Sequence, residues 1–159
     1  MTCTLRPFHI GIGAALLAAA PAFGQQLVAA QSEIAFTSKQ MGVPVDGKFK
    51  TFTAQVAFDP KQPEAAKIGF TIDLASVSLG AAETETEIAK ADWFDTKKFP
   101  QATFQSTAVK ATGAGRYEVT GTLKIKGASQ NVVVPVALAQ SGAATTATGT
   151  FVIKRLDFR

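Results

Sequence analysis

Acidic side chains are the first candidates for chemistry in this chain of 159 residues. Five carboxylates fall within one short segment, namely Glu83, Glu85, Glu87, Asp92 and Asp95. Paired carboxylates can hydrolyse glycosides. A site for sugars also needs a groove of polar and aromatic residues, however, and the chain has one Trp and one Tyr. The segment also lacks the spacing of a calcium-binding loop. We therefore interpret it as a solvated acidic loop, with catalysis by carboxylates as an alternative.

A second motif has the spacing of a phosphate-binding loop. Residues Gly42 to Lys48 match the pattern GxxxxGK. Phe49 follows, however, where a Ser or Thr should bind Mg²⁺, and the next residues have the pattern of a strand instead of a helix. We interpret the motif as a turn flanked by glycines that leads into a strand. The serine-hydrolase patterns G-x-S-x-G and S-x-x-K do not occur.

Cysteine and histidine occur once each, as Cys3 and His9, close to the start of the sequence. They lie in or just before an apolar stretch, residues 8–23, which ends in small residues around Gly24. Such a stretch is typical of a secretory signal peptide, and it is shorter than the ~20 residues that span a bilayer. We predict that residues 1–24 are a cleaved signal peptide and that residues 25–159 form one domain.

The predicted mature domain has a composition that excludes several classes of site. It contains no Cys and no His, which excludes cysteine and histidine catalysis, disulfides and the metal sites built from these residues. We expect no cofactor and no catalytic residue. Its charge is about +3, because Arg6 is lost with the signal, and the basic residues are scattered along the chain. A dispersed charge of this kind gives little support for nucleic-acid binding.

Apolar residues alternate with polar ones through most of the domain, which is the pattern of half-buried strands. The seven predicted strands lie near residues 33–37, 52–58, 68–74, 102–108, 117–125, 132–138 and 148–153. Short turns separate most of them, so the sheet should be antiparallel. Residues 81–91 are predicted to form a loop with one or two helical turns. This pattern indicates an all-β domain, either a barrel or a sandwich.

Phenylalanine is the abundant aromatic residue, with ten copies in the predicted mature domain. A Phe ring has no polar group, so these rings should line a dry interior. Alternation places five of them on inward-facing positions: Phe36, Phe52, Phe58, Phe70 and Phe104. A barrel of about eight strands has room inside either for packed side chains or for one slender ligand. Composition leaves both possibilities open.

Several motifs occur in order along the chain and together resemble one known family. They are Lys39–Gly42, Gly47–Phe49, Phe58–Pro60, Ile72–Val77, Trp93–Phe104, Gly121–Gly127 and Lys154–Phe158. The most specific is the pattern Phe-Asp-x-x-x-Phe-Pro-x-Ala-x-Phe, which begins at Phe94. In these motifs the chain resembles the YceI-like family of secreted, lipocalin-like, polyisoprenoid-binding proteins.

The resemblance implies an antiparallel, lipocalin-like β-barrel of eight strands in the periplasm. Its apolar cavity would carry an isoprenoid lipid, either a polyprenyl phosphate or the tail of an isoprenoid quinone. Family members that occur beside membrane b-type cytochromes suggest that the ligand is a quinone and the partner such a cytochrome. The alternative is a periplasmic protein-binding or stress-response module with a packed interior.

Strand parity and the matched motifs together predict the residues of the binding site. The predicted cavity wall consists of Phe36, Met41, Phe52, Phe70, Ile72, Trp93, Phe94, Phe104, Leu123 and Val134. Trp93 and Phe94 are predicted either to cover the cavity mouth or to plug one end of the barrel. An anionic head group would bind Lys39, Lys98 or Arg155.

The last strand of the family pattern does not follow Phe158, since the sequence printed here stops at Arg159. We therefore expect about seven strands in this chain. Two exposed strand edges would then lower its stability or pair with another chain, for example in a homodimer.

Overall fold

The computed structural model describes residues 2–11, 26–28, 31–59, 61–141 and 144–158. The described strands are β1 (Thr2–Gly11), β2 (Gln26–Leu27), β3 (Glu33–Gln40), β4 (Val43–Phe49), β5 (Phe52–Ala57), β6 (Lys67–Asp73), β7 (Val77–Ser78), β8 (Gln101–Gly113), β9 (Arg116–Ile125), β10 (Ala128–Ser141) and β11 (Ala144–Val152). One α-helix, α1, spans Ala82–Ile88, and short 3₁₀ turns lie at Pro63–Ala65, Leu74–Ser76 and Arg155–Phe158. None of the described helices is long and apolar enough to cross a bilayer.

All described strand pairs are antiparallel and belong to one curled sheet. The strand order is β5-β6-β8-β9-β10-β11-β1-β3-β4-β7, and β2 pairs with β1. The predicted antiparallel, lipocalin-like fold is confirmed. The seven predicted strands all occur, and β4, β7, β1 and β2 add to them within the described part of the chain.

The predicted helical loop is also confirmed. Helix α1 lies within the predicted segment, and its last residue, Ile88, is buried. The Glu85 carboxylate accepts a hydrogen bond from the backbone N–H of Leu79, which fixes the start of the helix against the chain that precedes it. Ile88 packs into the core at one end of the sheet, so the helix covers that end with one apolar side chain.

Alternation places the core on the concave side of the sheet. In β9, buried or half-buried residues recur at every second position from Tyr117 to Leu123. Two groups of buried residues result: one around Ile34, Phe36 and Leu74, and one around Phe104 and Val119, with partly buried residues such as Phe70 packed against both. The sheet therefore wraps around one continuous apolar interior.

Strand β1 lies in the segment that we predicted to be a signal peptide. Thr2–Gly11 pairs with β11 on one side and with β3 on the other. The remainder of the predicted signal peptide, residues 12–24, lies outside the described residues. Cleavage after Gly24 stays a prediction.

Candidate ligand-binding cavity

The concave face of the sheet encloses a cavity of about 470 Å³. This volume falls within the range of about 300–1,000 Å³ that is usual for pockets binding small molecules. Along β9 the wall runs from Tyr117 to Ile125, which at ~3.3 Å per residue corresponds to about 26 Å of strand. The cavity is therefore elongated along the strands, and its shape suits a slender ligand.

Seven of the ten residues predicted for the cavity wall do line the cavity. They are Phe36, Phe70, Ile72, Phe94, Phe104, Leu123 and Val134. Strand alternation brings them there: Phe70 lies opposite Phe104, and Phe104 lies opposite Leu123, on three neighbouring strands. Residues directly opposite each other in an antiparallel sheet share one face, so these side chains form a continuous apolar wall. Their contact with a ligand stays a prediction.

Met41 lies outside the cavity, and its predicted place in the wall is wrong. Met41 and Gly42 form the two-residue turn between β3 and β4, with φ angles of 50° and 85°. The turn carries Met41 to the tip of the hairpin, where its side chain is fully exposed. Phe52 is also not among the cavity-lining residues, although it packs against the adjoining core.

Trp93 and Phe94, predicted as a pair, have different surroundings. Phe94 lines the cavity and meets the ring of Phe49 edge-on, with the centroids 6.2 Å apart. Trp93 is not among the lining residues, and its ring is covered by the guanidinium of Arg155 at 4.0 Å. Arg155 also donates a hydrogen bond to the backbone oxygen of Asp92 at 3.1 Å. Phe94 therefore forms the cavity end, while Trp93 and Arg155 brace the loop outside it.

Two of the three predicted head-group cations lie near the same loop, and the third lies elsewhere. Arg155 contacts the loop at Asp92 and Trp93, and Lys98 belongs to the loop and stands 5.3 Å from the ring centroid of Phe99. Lys39 lies on β3 near the Met41 hairpin. All three side chains are exposed. The loop near Phe94 thus carries cations at one end of the cavity, and the binding of a head group there stays a prediction.

The other end of the cavity contains polar side chains that the predicted site omits. Tyr117, Thr145 and Thr148 line it, and Phe58 meets the Tyr117 ring edge-on at 5.0 Å. The alternation of β9 already indicated that Tyr117 faces inward. Thr145 lies at the start of β11, outside the range predicted for that strand, so the sequence pattern gave no signal for it.

Two acidic side chains of the segment around α1 make local contacts. Glu85 accepts from Leu79, and Glu87 forms an exposed ion pair with Lys90. Among the described residues, no group of three or more acidic, His or Cys side chains could hold a metal ion. Two of the five carboxylates thus make local contacts around α1.

Residues 26–159 match the YceI-like domain family. The chain belongs to the YceI-like family. The resemblance drawn from its ordered motifs is thereby confirmed.

Solved structures of YceI-like proteins share the fold. The chain is 47% identical to Burkholderia cenocepacia BcnA, with a TM-score of 0.79, and the match covers 82% of each chain. It is 30% identical to the Campylobacter jejuni YCEI protein, with a TM-score of 0.64 over 77% of this chain and 76% of the other.

The chain is also similar to bacterial proteins designated UPF0312. The protein from Azotobacter vinelandii is 33% identical over 79% of this chain and 68% of its own length. The protein from Ectopseudomonas mendocina is 41% identical, but the match spans 55% of this chain and only 46% of that relative's length. The chain thus spans about half of the latter protein.

The most specific YceI-like motif forms the loop that closes one end of the cavity. Asp95 has a φ of 48°, a conformation that Asp tolerates better than most residues, and its carbonyl accepts from the backbone N–H groups of Lys98 and Phe99. The N–H of Phe94 donates to Ile88, which ties the loop to α1. The motif therefore turns the chain so that Phe94 at one end and Phe104 at the other both reach the cavity.

Proposed function

We propose that the chain is a non-enzymatic carrier for one isoprenoid lipid, either a polyprenyl phosphate or an isoprenoid quinone. The observation that supports this proposal is the elongated cavity of about 470 Å³, whose wall is apolar except near Tyr117 and Thr145. An isoprenoid tail is slender, apolar and methyl-branched, and needs no polar partner along its length. The cavity also argues against the alternative of a binding module with a packed interior.

The hydrophobic contribution to the binding free energy of a tail has a size that suits a carrier. At about 0.3 kcal/mol per heavy atom, a tail of ~20 carbons would gain on the order of 6 kcal/mol before the cost of ordering it. A bilayer offers the same tail a comparable gain. The protein would therefore exchange its ligand with a membrane. Where the ligand is a quinone, we propose that the membrane partner is a b-type cytochrome.

The cations near Phe94 support a binding position for the head group of the ligand. Lys98 and Arg155 lie at the Phe94 end of the cavity, and both are exposed. A phosphate there could accept charge-assisted hydrogen bonds from both side chains. A quinone ring has no such charge, so replacing both cations by glutamine should weaken the binding of a polyprenyl phosphate more than that of a quinone with an equal tail.

The periplasm is the proposed location. The apolar stretch of residues 8–23 and the small residues around Gly24 support export through a cleaved signal.

A matched pair of substitutions on β10 tests the carrier function. Val134 is buried and lines the cavity, whereas Val133 is exposed on the opposite face of the same strand. Val134→Trp should fill the cavity and lower the affinity for geranylgeraniol at least ten-fold in an equilibrium titration, whereas Val133→Trp should leave it unchanged. Equal affinities in two folded variants would contradict binding in the cavity.

A further inference from the structure

The cavity wall is uncharged throughout the part of the chain that the structure describes. Its only hydrogen-bonding side chains there are Tyr117, Gln140, Thr145 and Thr148. All four belong to β9, β10 or β11. Tyr117 packs with the buried group that contains Phe104, whereas Phe94 packs with the other group. The hydrogen-bonding side chains therefore lie toward the end of the cavity opposite Phe94.

Two of these side chains, Gln140 and Thr145, lie side by side. Every second residue from 134 to 140 on β10 lines the cavity, and so does every second residue from 145 to 151 on β11. Gln140 is directly opposite Thr145. Opposed residues share one face of the sheet, with Cβ atoms about 5 Å apart, so the amide and the hydroxyl can meet the same group of a ligand. Thr148 has the opposite parity and is exposed, and it is not included in the site.

Tyr117 lies further inside the cavity. It is opposite Val136 of β10, four residues before Gln140, which corresponds to about 13 Å along the strand. Gln140 is exposed, whereas Tyr117 is half-buried. Phe58 also lines the cavity and meets the Tyr117 ring edge-on at 5.0 Å, which holds the phenol at the wall. The three residues therefore offer hydrogen bonds both at the end of the cavity and further inside it.

The hydrogen-bonding groups of these three side chains are available to a ligand. Within the described ranges, neither the hydroxyls of Tyr117 and Thr145 nor the Gln140 amide forms a hydrogen bond with the protein. An apolar tail beside them would displace their water without replacing its hydrogen bonds, which costs free energy. A ligand with an oxygen atom at this level restores those hydrogen bonds, so the site favours it over a hydrocarbon.

We propose that Tyr117, Gln140 and Thr145 form a subsite for an uncharged head group, a hydroxyl or a carbonyl, and that head-group charge decides the direction in which a prenyl chain lies. An uncharged head group lies in this subsite, with its tail toward Phe94. A phosphate lies the other way round, with its charge at Lys98 and Arg155. Removing a charge from water costs far more than removing a hydroxyl, and the subsite has no cation to offset that cost. The inference rests on the proposed carrier function and adds the orientation of the ligand.

Removal of the two hydroxyls tests the subsite with little change in its shape. In the double variant Tyr117→Phe/Thr145→Val, the affinity for geranylgeraniol should fall at least about five-fold in an equilibrium titration, because two hydrogen bonds are lost. The affinity for geranylgeranyl phosphate should stay unchanged, since its head group lies at the other end. Thr150→Val is the matched control: Thr150 is exposed on the same strand and does not line the cavity, so the affinities for both ligands should stay those of the parent.

The branched hydrocarbon phytane, which has no head group, separates this inference from the carrier function. Its affinity should not fall in the double variant. Equal losses for phytane and geranylgeraniol, or the same geranylgeraniol affinity in the parent and the double variant, would overturn the subsite. In either case, phytane binding that the parent shows and Val134→Trp lacks would leave the carrier function standing. A parent protein that binds none of the three probes would contradict the carrier function and the subsite together.

Tryptophan fluorescence tests the direction of the bound chain. Trp93 is the single tryptophan and is adjacent to Phe94, which lines the far end of the cavity. A prenyl chain that carries a nitroxide quencher at its tail end should, at saturation, quench Trp93 more strongly with a hydroxyl head group than with a phosphate. Equal quenching by the two ligands, or stronger quenching by the phosphate, would refute the proposed reversal.

Discussion

At the scale of single residues, close contacts inside the cavity restrict which side chains can be accommodated. A Cβ on Gly121 would lie 2.4 Å from the Phe104 ring and 2.6 Å from the backbone oxygen of Gln105. Both distances are too short for a Cβ, so the Phe104 ring and the backbone at Gln105 would both have to move. Gly121→Ala should therefore destabilise the protein by about 1–3 kcal/mol. Gly113→Ala is the control, because a Cβ there meets its nearest neighbour at an ordinary 4.0 Å.

Urea unfolding of both variants measures this difference. The Gly113 variant should stay within ~0.5 kcal/mol of the parent. Equal stabilities for the Gly121 variant and the parent would contradict the packing described for Phe104.

The stacking of Arg155 on Trp93 can be followed with the protein's own fluorescence, since Trp93 is the single tryptophan. Arg155→Ala should expose the indole to water, shift its emission to longer wavelength and cost about 0.5–1 kcal/mol, the usual value for an exposed cation–π pair. Lys154→Ala, at the adjacent position, should leave the emission unchanged. The same spectrum from both variants would show that Arg155 does not cover the ring in solution.

Most of the cavity wall could be predicted from residue parity, because a strand alternates its side chains strictly. Phe36, Phe70 and Phe104 line the cavity for this reason. Met41 was misplaced because it follows the predicted strand and lies in the turn at Gly42, where the alternation of a strand no longer applies. The partners of Trp93 were also unpredictable, since Arg155 is distant in sequence.

At the scale of elements, the β3–β4 hairpin contains a conformationally unfavourable residue. Its two turn residues, Met41 and Gly42, both have positive φ angles, and Asn is much better suited than Met to the first position. Met41→Asn should raise the stability by about 1 kcal/mol in thermal unfolding. Val43→Asn, on the exposed strand beside the turn, lacks the positive φ and should bring no gain.

A decrease in stability for Met41→Asn would mean that the exposed methionine makes a contact in solution.

Strand β4 shows why some elements escaped prediction. Its sequence contains Pro44, Asp46 and Gly47, three residues that are rare in strands. Gly47 is nevertheless required, because a Cβ there would lie 2.5 Å from both the Phe36 ring and the Leu79 side chain. Contacts with residues that are distant in the sequence therefore determine the conformation of this segment, and the local sequence pattern does not show them. The strands with clean alternation, such as β5 and β9, were predicted within a few residues of their bounds.

At the scale of the whole molecule, we propose that the N-terminal segment directs export. Expressed in a Gram-negative host, the full chain should appear in the periplasmic fraction with an N-terminus near Gln25. Cell fractionation followed by N-terminal sequencing measures this. A chain recovered from the cytoplasm with residues 1–24 still attached would contradict the proposed location.

The central claim is that the cavity holds one isoprenoid chain, and native mass spectrometry of the purified protein tests it most directly. The spectrum should show the polypeptide with a single lipid adduct, and organic extraction should release a compound whose fragments differ by isoprene units. The adduct should be absent from the folded Val134→Trp variant and present in Val133→Trp. A bare polypeptide that also fails to take up added geranylgeraniol or ubiquinone would contradict the account.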